Sequence, residues 1–114
     1  MARLNYLELP VGNLPGLNYF YGEAFGWRFT DFGPSYAATT TGDVDIGLDG
    51  DPETQVKAML PVIGVDDLEA AQARVEQAGG SVTVPIFAFP GGRRFHFRDP
   101  HGHELAVAQT DAES

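Results

Sequence analysis

The chain has 114 residues, of which 43% are hydrophobic and 20% charged, a composition typical of one globular domain with its own core. It contains no cysteine, which excludes disulfides, thiolate metal sites and a cysteine nucleophile. Its formal net charge of −9 argues against nucleic acid as a partner and suits either a cationic ligand or a solvated acidic surface. The sequence has neither a signal peptide nor a membrane-spanning run, so we expect a cytoplasmic protein without a membrane partner.

The first half of the chain predicts one strand, one helix and three further strands. Alternating side chains over residues 4–11 indicate the first strand. Asn13 as an N-cap, Pro15 in the first turn and Gly26 as a terminator then bound a helix with an apolar stripe. Three short segments predict the remaining strands: WRFTDF (27–32), SYAATTT (35–41) and VDIGL (44–48).

The second half repeats this order of elements. A strand over residues 60–65 precedes a helix that begins with Asp66 and Glu69 as a capping box and ends at the glycine pair 79–80. Three more strands follow, in SVTVPIF (81–87), RRFHF (93–97) and ELAVAQ (104–109). An offset of 54 residues superimposes the two halves. We therefore expect one domain, 1–114, built from two β-α-β-β-β modules at about 1–55 and 56–114.

Two polar stretches raise the question of metal binding. In RDPHGHELAVAQ, the residues His101, His103 and Glu104 are all potential ligands, but Asp99-Pro100-His101-Gly102 also fits a type I turn that leads into a strand. Alternation along that strand sends neighbouring side chains to opposite faces, which favours the turn. The acidic stretch DVDIGLDGDPE (43–53) lacks the glycine of a calcium-binding loop and predicts a solvated loop instead.

The tandem modules, with NYFYGEAFGW in the first helix and FRDPHGHELAV near the end, resemble the vicinal oxygen chelate superfamily. This is the glyoxalase, bleomycin-resistance and extradiol-dioxygenase group. The resemblance implies the α+β class, with tandem βαβββ modules that form an open, cupped mixed sheet around a cavity and carry their helices outside. It also implies a homodimer.

Metal-dependent members of that superfamily hold the ion through four strand positions, which the resemblance places here at Tyr6, Gly47, Leu60 and Ala106. Glycine, leucine and alanine have no side-chain donor, and tyrosine alone is a poor site. We therefore expect no metal and no cofactor. This expectation disfavours glyoxalase-type and dioxygenase-type chemistry.

Alternation along each strand selects the side chains that would face the cavity. It predicts that Phe95 and Phe97 lie on the helix side of their strand, which leaves Arg94, His96 and Arg98 on the cavity side. The same reasoning places Gly64 and Ala108 there. The complete set of predicted ligand-binding residues is Tyr6, Glu8, Trp27, Asp45, Leu60, Val62, Arg94, His96, Glu104 and Ala106.

Three functions remain open on this basis. The leading hypothesis is a metal-independent protein that binds a small molecule in its sheet cavity. The alternative is a metal-free isomerase, lyase or hydrolase that uses Glu8, Tyr6 or His96 as acid or base, although Glu8 would also suit an ion pair with Arg94. An accessory domain with a filled cavity is the third. A carboxylate within hydrogen-bond reach of His96 or Tyr6 would favour catalysis, and an isolated one would favour binding.

Overall fold

The computed structural model of the protein describes residues 2–111. Tyr6–Leu60 form one compact unit, called here the first unit, and the described residues outside that range form the second. The residues before Tyr6 therefore group with the second half of the chain and not with the predicted first module. One reason is that the side chain of Asn5 lies directly against Gly64.

The first unit carries one helix and a sheet with the strand order β2-β3-β4-β1. Strands β1 and β4 are parallel, and the other neighbours are antiparallel. The elements are β1 (Arg3–Pro10), α1 (Leu14–Phe25), β2 (Thr30–Asp31), β3 (Tyr36–Ala38) and β4 (Asp45–Asp49).

The second unit has the same order of elements and a sheet with the strand order β5-β8-β7-β6, in which β5 and β8 are parallel. Both sheets are thus mixed and open, which confirms the predicted α+β class with tandem βαβββ modules. The elements are β5 (Leu60–Gly64), α2 (Leu68–Gln77), β6 (Ser81–Phe89), β7 (Gly92–Arg98) and β8 (Glu104–Thr110).

The two helices begin at equivalent positions, as the predicted offset requires. The Asn13 side chain caps α1 by accepting a hydrogen bond from the Gly16 amide at 3.1 Å. The Asp67 side chain does the same for α2 and accepts from the Ala70 amide at 3.0 Å. The prediction that Asp66 caps α2 is therefore wrong by one residue. Leu68 is fully buried and is the first helical residue, so the extended residue before it, Asp67, is the cap.

One predicted strand and one predicted loop also need correction. The strand predicted over 27–32 pairs only at Thr30 and Asp31, because the rings of Trp27 and Phe29 contact Tyr21 of α1 instead of extending the strand. The stretch predicted as a solvated loop contains Asp49, which is the last residue of β4 and only 4% exposed.

The hydrophobic core of the second unit forms where α2 packs on its sheet. Leu68 and Ala71 from the helix meet Phe95 and Val107 from the strands, and Phe97 packs against this cluster. The prediction that Phe95 and Phe97 face the helix is confirmed. In the first unit, α1 contacts β3 and β4 but has no buried residue. Neither helix of the described chain is long and apolar enough to cross a membrane.

Candidate functional site

The sheet of the first unit has one polar face. Strand register pairs Tyr6 with Asp45, and it places Glu8 beside Gly47 and Tyr36 beside Asp49. Paired residues in neighbouring strands point to the same side of a sheet, and so do residues two apart along a strand. This face therefore gathers a row of phenol and carboxylate groups.

At the centre of this face, two tyrosines and one glutamate form a chain of hydrogen bonds. The hydroxyl of Tyr36 donates to Glu8 Oε2 at 2.8 Å. The hydroxyl of Tyr6 contacts that of Tyr36, and it must be the donor because the proton of Tyr36 is already engaged with Glu8. Glu8 itself is only 3% exposed. The chain thus runs from Tyr6 through Tyr36 to a buried carboxylate.

Gly47 makes room for this chain. A Cβ atom at that position would overlap the hydroxyl oxygens of both Tyr6 and Tyr36. Any larger residue would collide with both phenols. The resemblance places a metal-ligating side chain at position 47. In this chain, the hydroxyls of Tyr6 and Tyr36, which come from the neighbouring strands, occupy that space.

The electrostatics of the polar face follow from burial and crowding. Burial raises the pKa of Tyr36 far above its usual value, and the nearby Glu8 and Tyr6 raise it further, so the phenol remains a neutral donor. Burial also raises the pKa of Asp49, and the charge of Glu8 adds to that rise, while hydrogen bonds from the Asp51 amide and Thr54 oppose it. A neutral donor thus lies between two carboxylates.

Asp45, a predicted ligand-binding residue, is engaged in the turn between β3 and β4. Its carboxylate accepts hydrogen bonds from the Thr39 hydroxyl at 2.7 Å, from the amide and hydroxyl of Thr41, and from the Gly42 amide. Burial alone would raise the pKa of Asp45, but these hydrogen bonds outweigh it and lower the pKa. The carboxylate fixes the turn that aligns β3 with β4.

The second unit carries a separate polar cluster around His96. This residue is 4% exposed, and its Nδ1 lies 3.3 Å from Glu104 Oε2. Glu104 also accepts from the Thr83 hydroxyl at 3.3 Å and lies 3.9 Å from the guanidinium of Arg98. A carboxylate is therefore within hydrogen-bond reach of His96, an arrangement that suits acid-base catalysis.

Aromatic and apolar side chains surround this cluster. The guanidinium of Arg94 lies over the ring of Phe87 at 5.4 Å and over that of Phe89 at 5.9 Å. The ring of Phe87 also lies 5.9 Å from that of His96. Strand pairing places Ala106 beside His96 on one side and beside Val62 on the other, so both apolar residues share this face.

Two predicted residues lie elsewhere or play another part. The ring of Trp27 stacks on that of Tyr21 at 5.4 Å and contacts that of Phe25 at 5.3 Å in a tilted arrangement, at the end of α1. Its ring contacts are therefore with the helix, and its side chain remains partly exposed. Leu60 is almost completely buried at the start of β5 and offers an apolar surface only.

The histidine-rich stretch after β7 forms the predicted turn. The Gly102 amide donates to the Asp99 carbonyl at 2.9 Å, and the Asp99 carboxylate accepts from the amides of His101 and His103. The ring of His103 lies 2.9 Å from Asp99 Oδ2, which lowers the pKa of Asp99, whereas Glu104 points to His96. In residues 2–111, no three His, Asp or Glu side chains are grouped so that they could hold a metal ion.

Sequence reasoning missed Tyr36 and Asp49. Local pattern assigns Tyr36 only to a strand, since it does not specify the pairing of β3 with β4 that brings the Tyr36 hydroxyl to Glu8. The same kind of pattern predicts a loop at Asp49. The apolar pair Ile46 and Leu48 in strict alternation with Asp45 and Asp49 was the signal that could have extended β4 to include it.

Comparison with known proteins identifies relatives of this chain. The sequence model for the Glyoxalase/Bleomycin resistance protein/Dioxygenase superfamily matches residues 3–107. The chain is also 28% identical, over 94% of its length, to a protein described as "Putative glyoxylase CFP32" from Mycobacterium tuberculosis. It covers 45% of that protein, so it spans about half the length of the curated relatives that it matches.

Solved structures share the fold at low sequence identity. Methylmalonyl-CoA epimerase from Mycobacterium tuberculosis matches with a TM-score of 0.76 and 13% identity, over 96% of this chain and 89% of the epimerase. The Mn(II)-bound glyoxalase from Novosphingobium aromaticivorans matches with a TM-score of 0.69 and 20% identity, over 100% of this chain and 42% of the glyoxalase. At these identities the likeness concerns the fold alone.

Proposed function

Because this chain belongs to the glyoxalase/bleomycin resistance protein/dioxygenase superfamily, we propose that it is a metal-independent small-molecule binding protein of that type. The ligand is held on the polar face of the first sheet, with Glu8 as its principal polar anchor. The observation that carries the proposal is the buried Glu8 carboxylate, which Tyr36 orients through a hydrogen bond of 2.8 Å. A buried, oriented carboxylate forms stronger charge-assisted hydrogen bonds than an exposed one.

The donor set supports metal independence. Leu60 and Ala106 have no donor atoms, and the space at Gly47 is filled by the hydroxyls of Tyr6 and Tyr36. The remaining donor of the four, the phenol of Tyr6, donates its proton to Tyr36. These residues do not fit a divalent cation, which requires three or four converging donors.

The chemistry of the face favours a ligand with a protonated amine and an aromatic ring. Glu8 and Asp49 supply negative charge, and the rings of Tyr6 and Tyr36 supply aromatic surface beside it. An ammonium group can pair with a carboxylate and lie over an aromatic ring at the same time. The net charge of −9 attracts such a cation from a distance.

Calorimetry with a matched pair of probes tests this proposal. Tryptamine and tryptophol share an indole ring and differ in a charged amine against a neutral hydroxyl. We expect tryptamine to bind more tightly, and Glu8→Gln to weaken its binding by about ten-fold, the loss expected for about 1.4 kcal/mol. Glu23→Gln, at an exposed position on α1, is the control and should bind as the parent does.

Two results would contradict the binding proposal. Equal affinity of the parent for both probes would show that the charge of Glu8 does not select the ligand. Unchanged affinity in Glu8→Gln, with circular dichroism unchanged, would make Glu8 a structural residue. One equivalent of zinc, manganese, iron or nickel retained by the purified protein after gel filtration would contradict metal independence.

A metal-free acid-base enzyme is the second candidate, and the His96–Glu104 pair favours it. Glu104 can orient the imidazole of His96 through Nδ1, as a carboxylate does for a histidine that acts as acid or base. Proton exchange at carbon, followed by NMR in deuterated water with small carbonyl compounds, would reveal such activity. A His96→Gln variant that abolishes exchange but still binds its substrate would favour the enzyme over the binding protein.

We also propose that the chain forms a homodimer through the outer surface of α1. This helix exposes more than half of the side chains of Phe20 and Phe25, and Trp27 adjoins them. A contiguous exposed aromatic surface of this kind is typical of protein interfaces. Light scattering should give about twice the chain mass of 12.3 kDa. Phe25→Asp should yield monomers, whereas Val44→Asp, at another exposed apolar residue, should not.

A further inference from the structure

An open apolar groove lies beneath α2 in the second unit. Its volume is about 270 Å³. Ile63 and Val107 of the parallel strands and Phe97 of β7 form its floor, while Val75 of α2 and Ala78, the C-cap of that helix, form one wall. None of these residues belongs to the His96 cluster or to the polar face around Glu8.

Several of the residues that line the groove have small side chains. Ala2, Ala71 and Ala78 all border the space and leave it unfilled. Ala71 and Val107 also belong to the hydrophobic core of the unit, so the groove opens directly onto that core. An apolar group placed here would be removed from water at little conformational cost, because the lining is already ordered.

A single charged side chain, Arg74, lines the groove. It is exposed, and no other side chain in the described part of the chain bonds to or pairs with its guanidinium. Arg93 of β7 differs from Arg74 because it has an acidic partner. Its guanidinium lies 2.6 Å from the carboxylate of Glu69, which belongs to the same helix as Arg74. The chain has a net charge of −9, yet within residues 2–111 Arg74 has no acidic partner, so its guanidinium can bind an anion beside the apolar groove.

We propose that this groove binds a small amphipathic carboxylate, with its apolar tail against Phe97 and Val107 and its carboxylate on Arg74. An apolar cavity of about 150 Å³ accepts a benzene ring, and pockets for whole drug-like ligands begin near 300 Å³. The groove therefore suits one ring or a chain of about eight carbons. A protein partner would need about 800 Å² of surface, which this groove does not supply. The site is independent of the ligand proposed for Glu8.

Titration of the ¹⁵N-labelled protein with octanoate, followed by amide chemical shifts, tests the proposal. Octanol is the neutral probe of equal length. We expect octanoate to shift the amides of α2 and of the floor strands with a dissociation constant on the order of millimolar, and octanol to bind more weakly. Arg74→Gln should weaken octanoate by about three-fold and leave octanol unchanged. Arg28→Gln, at an exposed arginine in the first unit, should have no effect.

A second pair of variants tests the groove itself. Ala78→Trp places an indole in the space and should abolish the shifts caused by both probes. Ala73→Trp, on the exposed side of the same helix, should leave them intact. Equal binding of octanoate and octanol, or shifts that survive in Ala78→Trp, would overturn the proposal. So would shifts of the groove that depend on protein concentration and not on octanoate, since they would assign the groove to a second copy of the chain.

Discussion

The two helices occupy equivalent positions in the two modules, yet they relate to their sheets in opposite ways. α1 carries four aromatic residues and has no buried side chain. α2 is half polar, but its Leu68 and Ala71 are buried in a core with Phe95. The number of apolar residues in a helix therefore does not by itself decide its burial. Leu68 and Ala71 of α2 pack against Phe95 and Val107, whereas Phe20 and Phe25 of α1 are more than half exposed.

The two sheets differ in a complementary way. In the first unit, the face around Glu8 gathers phenols and carboxylates, and Gly47 is kept small to accommodate them. In the second unit, the His96 cluster is flanked by aromatic and small apolar residues. The same order of elements thus gives two different modules. The second has a packed hydrophobic core, whereas the first exposes large aromatic side chains on its helix and carries polar groups on its sheet. Substitutions at matched positions test this contrast.

The largest difference should appear between two phenylalanines. Phe95→Ala removes a fully buried ring and should lower the free energy of unfolding by about 3–5 kcal/mol. Phe25→Ala, at a ring that is 61% exposed, should cost less than about 1 kcal/mol in the monomer. Urea unfolding followed by circular dichroism measures both. If the loss of unfolding free energy in Phe25→Ala increases with protein concentration, the α1 dimer is supported. Equal losses in Phe25→Ala and Phe95→Ala at low concentration would contradict the contrast between the helices.

Two glycines should respond differently to an added methyl group. Gly47→Ala should lower the free energy of unfolding by about 1–3 kcal/mol, because its Cβ would overlap the hydroxyls of Tyr6 and Tyr36. Gly12→Ala meets no atom within 4 Å and should change stability by less than about 0.5 kcal/mol. Adding Tyr6→Phe to Gly47→Ala should recover part of the loss. If the double variant is no more stable than Gly47→Ala in thermal or urea unfolding, the Tyr6 hydroxyl does not cause the loss of stability.

The two helix caps should be equivalent despite the difference in burial. Asn13→Ala and Asp67→Ala should each cost about 1 kcal/mol, since each removes one hydrogen bond to a helical amide. Asp66→Ala should cost less than Asp67→Ala. Urea unfolding of the three variants at one pH decides this, and a larger effect at Asp66 would restore it as the cap.

Two carboxylates of β4 should give small pH effects of opposite sign. The pKa of Asp45 is lowered in the folded protein, so its stabilisation is present above the unfolded pKa and is lost as the pH falls through the folded pKa. The pKa of Asp49 is raised, so its charge destabilises the fold above the folded pKa and ceases to do so as the pH falls through it.

Unfolding at pH 7 and at pH 3 measures these effects. Asp45→Asn should cost about 1 kcal/mol at pH 7, because its carboxylate accepts several hydrogen bonds, and less at pH 3. Asp49→Asn should instead be better tolerated at pH 7 than at pH 3. If the loss of stability changes in the same direction between pH 7 and pH 3 in both variants, the opposite pKa shifts of Asp45 and Asp49 are contradicted.

Local sequence pattern was sufficient for most elements of the fold. The Asn13 cap, the stop at Gly26 and the turn from Asp99 to Gly102 all depend on contacts within five residues, which the order of residues specifies directly. Where a distant aromatic contact competed, the prediction failed. The strand predicted over 27–32 is shorter because Trp27 and Phe29 contact Tyr21.

Residue order alone was enough to predict the tandem βαβββ modules, the face of β7 that meets α2 and the position of Glu8 on its strand. Three features emerged only from the folded chain: Tyr36 donates to Glu8, two hydroxyls occupy the space beside Gly47, and Arg74 borders an apolar groove. The difference lies in the range of the interactions. Helix caps, turns and alternation act between neighbours in the chain, whereas these contacts join segments tens of residues apart, whose register is set by strand pairing.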